Sequence, residues 1–424
     1  MRPLPLLLAA VITAAGGVAQ VAWAASEVVV GGNVESLLAF ARERHPEFAA
    51  MRHEADAAAA RVAPAGALPD PMLEVELRGF VSDTNNTTSL LPARVGSTRY
   101  AVTQRLPWFG KRDLQRDLAT AGADEAQGRA AVIWTELAWQ IKQTYARHFL
   151  HRASLQYGRE NLELLAQLER IAQVRYANGL VPQQDVIRAQ TERTALQSEL
   201  ALLEGDNDQA SARIRSLLGR PENMRIQAPE RLRPLPVPAQ LDPATLAARI
   251  ADRNPRLVAD AARIAGAEKA RELSYKNRYP DFNVGLAAIQ QRDRVTGWDL
   301  MFGINIPLQQ DSRRAQEREA ERMLDAAQAR KAATFNQLSA ELSESLAGLQ
   351  SARRVEELVA SSLLPQSELT LQAALAGYET GKVDFAAVLD AQRQIRRAKE
   401  DLVKSRVTQQ LRLADIERAL GEDL

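Results

Sequence analysis

Trp298, Leu300, Phe302, Ile304 and Ile306 alternate with Asp299, Met301, Gly303 and Asn305. A strict period of two predicts a strand with one apolar and one wetter face. Pro307 stops it, and within a few residues the period becomes helical. The helical pattern then holds for about 65 residues, roughly 100 Å at 1.5 Å per residue. It ends at the turn Gly377-Tyr378-Glu379-Thr380-Gly381. No single globular core extends that far, so a short two-faced strand feeding a very long helix is the shape to explain.

The same plan occurs twice. In the first half a helical pattern from Val34 to about Ala63 is interrupted at His45-Pro46. After Leu68-Pro69-Asp70-Pro71, strands are predicted at 72–82 and 97–106, the first with Leu73, Val75 and Leu77 on one face and Glu74, Glu76 and Arg78 on the other. Long helices follow at 111–177, closed by Asn178-Gly179, and at 182–218. Pro-rich residues 220–242 read as an extended linker. The second half offers a helix from Pro243 to about Asn277, strands at 281–290 and 298–306, and helices at 311–377 and 384–420. Glu43-Arg44-His45-Pro46, Leu106-Pro107, Tyr176, Gly179 and Gly219 find counterparts in Asp252-Arg253-Asn254-Pro255, Ile306-Pro307, Tyr378, Gly381 and Gly421. The chain therefore divides into a first repeat over 25–219, the linker, and a second repeat over 243–424.

Four strands with one apolar face each need a cover, and the helices lead away from them. Lipid would supply the cover, provided no sheet edge stays open. Four strands do not close alone; eight are filled by side chains, and about twelve leave room for water. Glu74, Glu76, Arg78, Arg99, Asp281, Asn283 and Asn305 suit a wet lumen, so a homotrimer is the smallest assembly that makes a pore. Broken heptad stripes such as Val388, Ile395 and Leu402 ask for neighbouring helices. A ring of helices continuing the barrel meets both demands. A periplasmic coiled-coil structural protein is the alternative, and it leaves the strands unexplained.

Charge and composition narrow the class. Lys+Arg 54 against Asp+Glu 53 gives a net charge of +1 and no basic excess for nucleic acid. With Cys 0 there is no thiol catalysis, disulfide or lipidated cysteine. Arg2, the apolar run from Leu6 to Ile12 and Ala22-Trp23-Ala24 read as a cleaved secretory signal over 1–24. No hydrolase, zincin or phosphate-loop motif is present. Neither an enzyme nor a cofactor is expected. His148 and His151 share a helical face as a possible metal pair, but two His without a third ligand are more often surface residues.

On these residues the chain resembles the TolC-like outer-membrane efflux proteins, over essentially all of its mature length. Tyr176-Ala177-Asn178-Gly179 and the stretch from Tyr378 to Arg393, with its Val388-Leu389-Asp390-Ala391, carry the resemblance. Leu68-Pro69-Asp70-Pro71 and the run from Gln104 to Lys111 are similar to the heavy-metal-efflux branch, the CzcC- and CusC-like proteins. The resemblance implies a mainly α fold with a small membrane β-barrel: a trimer whose twelve-stranded barrel continues as a twelve-helix tunnel. It implies an outer-membrane duct of a Gram-negative cell reaching into the periplasm. Its partners would be a periplasmic adaptor protein and an inner-membrane pump, with the RND type as the candidate. Heavy-metal cations are the expected cargo; drug efflux or type I secretion through the same fold stays open.

The resemblance also implies a periplasmic gate at Tyr378 and Asp390. Ala387 stands where a second ring Asp is found and Val383 where a gating Arg is found, with Asp384 and Asp185 as compensating candidates. Asn178, Gly179, Leu180, Thr380, Gly381 and Lys382 would form the adaptor-contact tip. Trp108, Phe109 and Trp298 are candidates for the aromatic belt at the membrane interface.

Overall fold

The computed structural model describes residues 31–79, 90–92, 95–219 and 226–424. The expected signal segment, the end of the first expected strand with the loop after it, and the start of the linker lie outside them. The first half comprises α1 (Val34–Arg44), α2 (Pro46–Ala60), α3 (Val62–Ala65), β1 (Met72–Arg78), β2 (Ser97–Leu106), α4 (Lys111–Ala177) and α5 (Gln183–Leu217). The second comprises α6 (Pro243–Arg253), α7 (Pro255–Lys276), β3 (Asp281–Gln291), β4 (Arg294–Asn305), α8 (Gln310–Leu358), α9 (Leu364–Glu379) and α10 (Phe385–Leu420).

Three boundaries differ from the pattern-based expectation, each for a backbone reason. The helix expected from Pro243 to Asn277 is two helices, because the residue before a proline avoids the helical region; Asn254 has ψ 125 and caps α7 instead. The helix expected over 311–377 is divided by a π-helical turn, Val359–Leu363. Pro365 lacks an N–H and crowds the carbonyl four residues earlier. β4 starts at Arg294, not at Trp298, because β3 and β4 join through a tight turn in which Arg292 takes φ 53.

The strands form one antiparallel sheet in the order β1-β2-β3-β4. Register sorts its two faces: Leu73 pairs with Val102, Val102 with Leu286 and Leu286 with Leu300. All four are at least half exposed or nearly so, and Val75, Trp298, Phe302 and Ile304 join them. The opposite face carries Glu74, Glu76, Arg99, Asn283 and Asp299, with Arg99 placed between Glu76 and Asp299. The outer edges of β1 and β4 have no strand partner among the described residues.

Below the sheet the helices alternate. α4 is flanked by α2 and α5 on one side and by α7 and α10 on the other; α8 lies beyond α7 and α10. The short helices stack end to end. Gly219 after α5 abuts Pro46 of α2, and Gly421 after α10 abuts Pro255 of α7. Both glycines have positive φ, 71 and 81, the left-handed end that closes a helix. Each facing proline sits at the start of its helix, where a missing N–H costs nothing. Asn254 welds the second joint by donating Nδ2 to Ala419 O at 2.7 Å. The described part of the linker straps this waist: Arg231 and Arg233 offer their carbonyls to Tyr145 and Gln410, and Arg233 grips Glu417 with two bonds. Among the described residues, no helix is long and apolar enough to cross a membrane.

Candidate functional site

The far end of the molecule is built from two hairpins, α4–α5 and α9–α10. Leu165, Leu168 and Ala172 of α4 pack with Ala189, Leu196 and Leu200 of α5, with Tyr378 of α9, and with Phe385, Val388 and Leu389 of α10. Both turns have the same helix-ending geometry. Leu180 N donates to Arg175 O at 2.9 Å, and Lys382 N to Gly377 O at 2.8 Å. Gly179 and Gly381 take φ 69 and 73, as the left-handed position requires. Nothing lies within 4 Å of a Cβ built on either, so both turns project freely. Leu180 is 64% exposed, beside exposed Val174 and Tyr176, and Thr380 and Lys382 are exposed too. Asn178 folds back, its Nδ2 donating to Val174 O.

The expected gate residues separate into different situations. Tyr378 is buried, its ring 5.3 Å from that of Phe385, and its hydroxyl has no partner among the described residues. Asp185 is buried nearby. Burial pushes its carboxyl up from the ordinary range, Arg188 opposes this and Asp384 adds to it. Burial and then Asp185 likewise raise the Tyr378 phenol, while Arg175 opposes. Asp384 is occupied as the cap of α10, its Oδ1 accepting from Ala387 N at 3.0 Å. Asp390 is exposed and meets Arg393 at 3.1 Å. Arg393 in turn clamps Glu192 of α5 at 2.9 and 2.5 Å. Val383 closes its own turn against Gly377.

Sequence reasoning missed Arg175. Its guanidinium lies 4.9 Å from the Tyr378 ring centre, and its Nη1 donates to Glu379 O at 2.9 Å. One side chain of the first hairpin thus holds the turn of the second. The signal was available in the repeat, because the counterpart of Arg175 is Gly377 and a charge present in only one copy invites a specific role. His148 and His151 form no metal pair: His148 is buried against Ser211 at 3.2 Å, and His151 lines a separate surface cleft with Arg147 and Asp206. No group of three potential metal ligands occurs among the described residues.

At the other end, Trp108 stacks on Tyr279 and Phe282, at 5.1 and 5.5 Å, with Phe109 at its edge. Phe109 is 79% exposed. Trp108, Phe109 and Phe282, with Leu68, Leu106, Phe302 and Ile304, line a cleft of about 710 Å³ on the apolar side of the sheet. Trp298 lies at the opposite end of that face, near the β3–β4 turn. Asp281 joins strand to helix: it accepts from Arg105, Lys111 and the Trp108 N–H at 2.8, 2.8 and 3.0 Å.

A sheet with one bare apolar face and, among the described residues, two open edges, continued by helices, suits a barrel closed by further copies. The outer membrane efflux protein family model matches residues 37–220 and 246–422. The chain belongs to that family. The cobalt-zinc-cadmium resistance protein CzcC of Cupriavidus metallidurans is 24% identical over 368 residues, 86% of this chain and 84% of the relative. The outer membrane protein VceC of Vibrio cholerae superposes with a TM-score of 0.79 at 17% identity, over 92% of this chain and 96% of that one. The transmembrane channel CusC gives 0.77 at 18% identity, over 93% of each chain. These likenesses establish a TolC-like fold for this outer membrane efflux protein.

Proposed function

We propose that this chain forms, as a homotrimer, the outer-membrane exit duct of a tripartite system that expels heavy-metal cations. The observation that carries the duct is the four-stranded sheet with an exposed apolar face, a charged opposite face and two edges unpaired among the described residues. Lipid covers the first, water fills the second, and neighbouring copies close the third. Three copies give twelve strands with a wet interior. The exposed turns around Gly179, Leu180, Gly381 and Lys382 are the surface offered to a periplasmic adaptor and, through it, to an inner-membrane pump. Tyr378, Asp185 and Asp390 belong to the gate at this end, with Trp108, Phe109 and Trp298 marking the two membrane boundaries. The chain itself supplies passage, not energy.

The metal cargo is supported by the similarity to a cobalt-zinc-cadmium resistance protein. Deleting the gene and measuring tolerance to cobalt, zinc, cadmium, copper and a drug panel tests it. Loss of metal tolerance, restored by the gene on a plasmid, is the expected result. Loss of drug tolerance alone would assign the duct to drug efflux.

A further inference from the structure

At the waist the two repeats differ in charge at equivalent places. The buried Leu137, Ile141 and Tyr145 of α4 match the buried Leu338, Leu342 and Leu346 of α8. This spacing is one residue shorter than at the tip, because the π turn inserts a residue in between. On that register Gln140, Gln143 and Arg147 stand where α8 carries Glu341, Glu344 and Gly348. On the neighbouring helices Ile214 and Gly219 match Ile416 and Gly421, so Ala210 stands where α10 carries Arg412, and Arg213 where it carries Asp415.

In the second repeat this place is filled and its charges are paired. Arg412 lies against Gly348, where a Cβ would meet its Nε at 2.7 Å, and it reaches Asp415 at 3.4 Å and Glu344 at 3.9 Å. Arg418 reaches Glu341 at 3.2 Å. In the first repeat an alanine replaces the filling arginine and amides replace the two glutamates. A cleft of about 530 Å³ is left, lined by Gln140, Gln143 and Arg147 of α4 and by Asp206, Ala210 and Arg213 of α5. Arg147 donates to Gln143 at 3.2 Å and Arg213 to Gln140 at 3.5 Å, and neither forms an ion pair among the described residues. Asp206 shares the cleft without pairing with either. Asp415 next door is taken, accepting from Trp139, Gln143 and Arg412.

The cleft faces away from the linker. Lys142, Tyr145 and Arg152 turn toward it, meeting Arg233's carboxylate partner Glu417 and the carbonyls of Arg231 and Pro229. Gln140, Gln143, Arg147 and His151, spaced by three and four residues, form a stripe on the opposite side of α4. In a closed ring of helices a strap on the inner side would lie across the bore. The duct reading therefore puts the linker outside and the cleft inside.

We propose that this cleft is an anion site on the wall of the bore, where a small oxyanion sits between Arg147 and Arg213. Guanidinium forks suit oxyanions because their N–H groups meet two oxygens at once. The anion takes the place of the carboxylates that Glu341 and Glu344 supply in the other repeat, with the Gln140 and Gln143 amides as further donors. Once occupied, the site offsets the positive charge that a passing cation meets. Its placement on the bore rests on the duct reading; the binding itself does not.

The test titrates inorganic phosphate into full-length trimers in detergent and follows the heat of binding. Hydrogen bonds to a charged group set the scale, so Arg147→Gln and Arg213→Gln should each weaken phosphate by about tenfold or more. Both side chains are exposed, so neither change opens the core. Ala210→Met keeps both arginines but fills the cleft, and it should weaken phosphate as well. In planar bilayers under a KCl gradient, the two arginine variants should shift the reversal potential toward that of potassium. Wild-type trimers that bind no phosphate, or arginine variants that bind it as wild type does, overturn the site. Binding lost in the arginine variants but unchanged in Ala210→Met assigns phosphate to loose surface charge and overturns the cleft. Binding weakened in all three variants with an unmoved reversal potential overturns the placement on the bore. Trimers that bind phosphate as expected yet pass no ions overturn the duct reading and leave the anion site standing.

Discussion

Lys142 and Glu417 meet at 2.8 Å inside the waist, one from each repeat, with side chains only 4% and 2% exposed. Arg233 of the linker closes on the same carboxylate at 2.9 and 3.0 Å, so three separate segments converge on one buried charge. Burying a charge is tolerated only when it is paired, and removing one partner costs about 3–5 kcal/mol. Glu417→Gln takes the carboxylate from Arg233 and leaves Lys142 only Asp423, whereas Lys142→Met leaves Glu417 still held by Arg233. Thermal unfolding of the detergent-solubilised protein should show Glu417→Gln as the more damaging change. Equal losses would mean that the linker arginine shares little of the charge.

The glycines at helix ends allow a second prediction. Gly179 and Gly421 both have positive φ, but only Gly421 is crowded: a Cβ there would lie 2.2 Å from Pro255 Cδ. Gly179→Ala should cost about 1–2 kcal/mol, the left-handed penalty alone. Gly421→Ala adds a clash in the end-to-end joint and should cost clearly more. Denaturant midpoints of the two variants check the order.

Acid should loosen the contact between α4 and α5 through His148, which meets Ser211 at 3.2 Å. Burial holds its imidazole below the ordinary value of 6.5, with His151 and Arg152 adding to this and Asn207 opposing. A histidine with a lowered folded pKa folds best neutral. Its contribution is fully present above 6.5 and is lost as pH falls through 6.5 toward the folded value. The melting temperature should therefore drop between about pH 7 and about pH 5, and drop less in His148→Gln. Parallel curves for the two proteins would sink this account.

The sheet faces differ in what they accept. Leu300 and Phe302 lie on the apolar face, Asn305 on the charged one. An arginine on a lipid-facing strand position costs about 2–4 kcal/mol at the bilayer midplane, and lumen substitutions cost far less. Leu300→Arg should cut the amount of protein in the outer-membrane fraction, while Asn305→Asp should leave it near wild type. Fractionation followed by heated and unheated gels reads both.

What the sequence made legible follows from the range of each interaction. Period-two alternation identifies the strands because both faces of the sheet meet very different media; Leu286 and Asp299 could be assigned to faces from their own neighbours. Gly179 and Gly381 were legible because a left-handed turn is a local demand. The π turn was half legible: Leu364-Pro365 is in plain view, but the apolar pattern continues through it. Lys142–Glu417 was not legible at all, since neither residue's surroundings in the chain indicate a partner in the other repeat. Asp384 reads in the sequence as a free charge, because its capping role depends on where α10 begins.

The stacked joints have a mechanical consequence. Around one protomer the columns run α2 over α5, then α4, then α7 over α10, then α8. Spliced columns thus alternate with unspliced ones, and each joint lies beside a continuous helix. Masons lay courses the same way, so that no crack can run along a line of seams. A twelve-column wall of this kind has no seam running straight across the waist, and the order of the columns adds stiffness to what the strapping contacts supply.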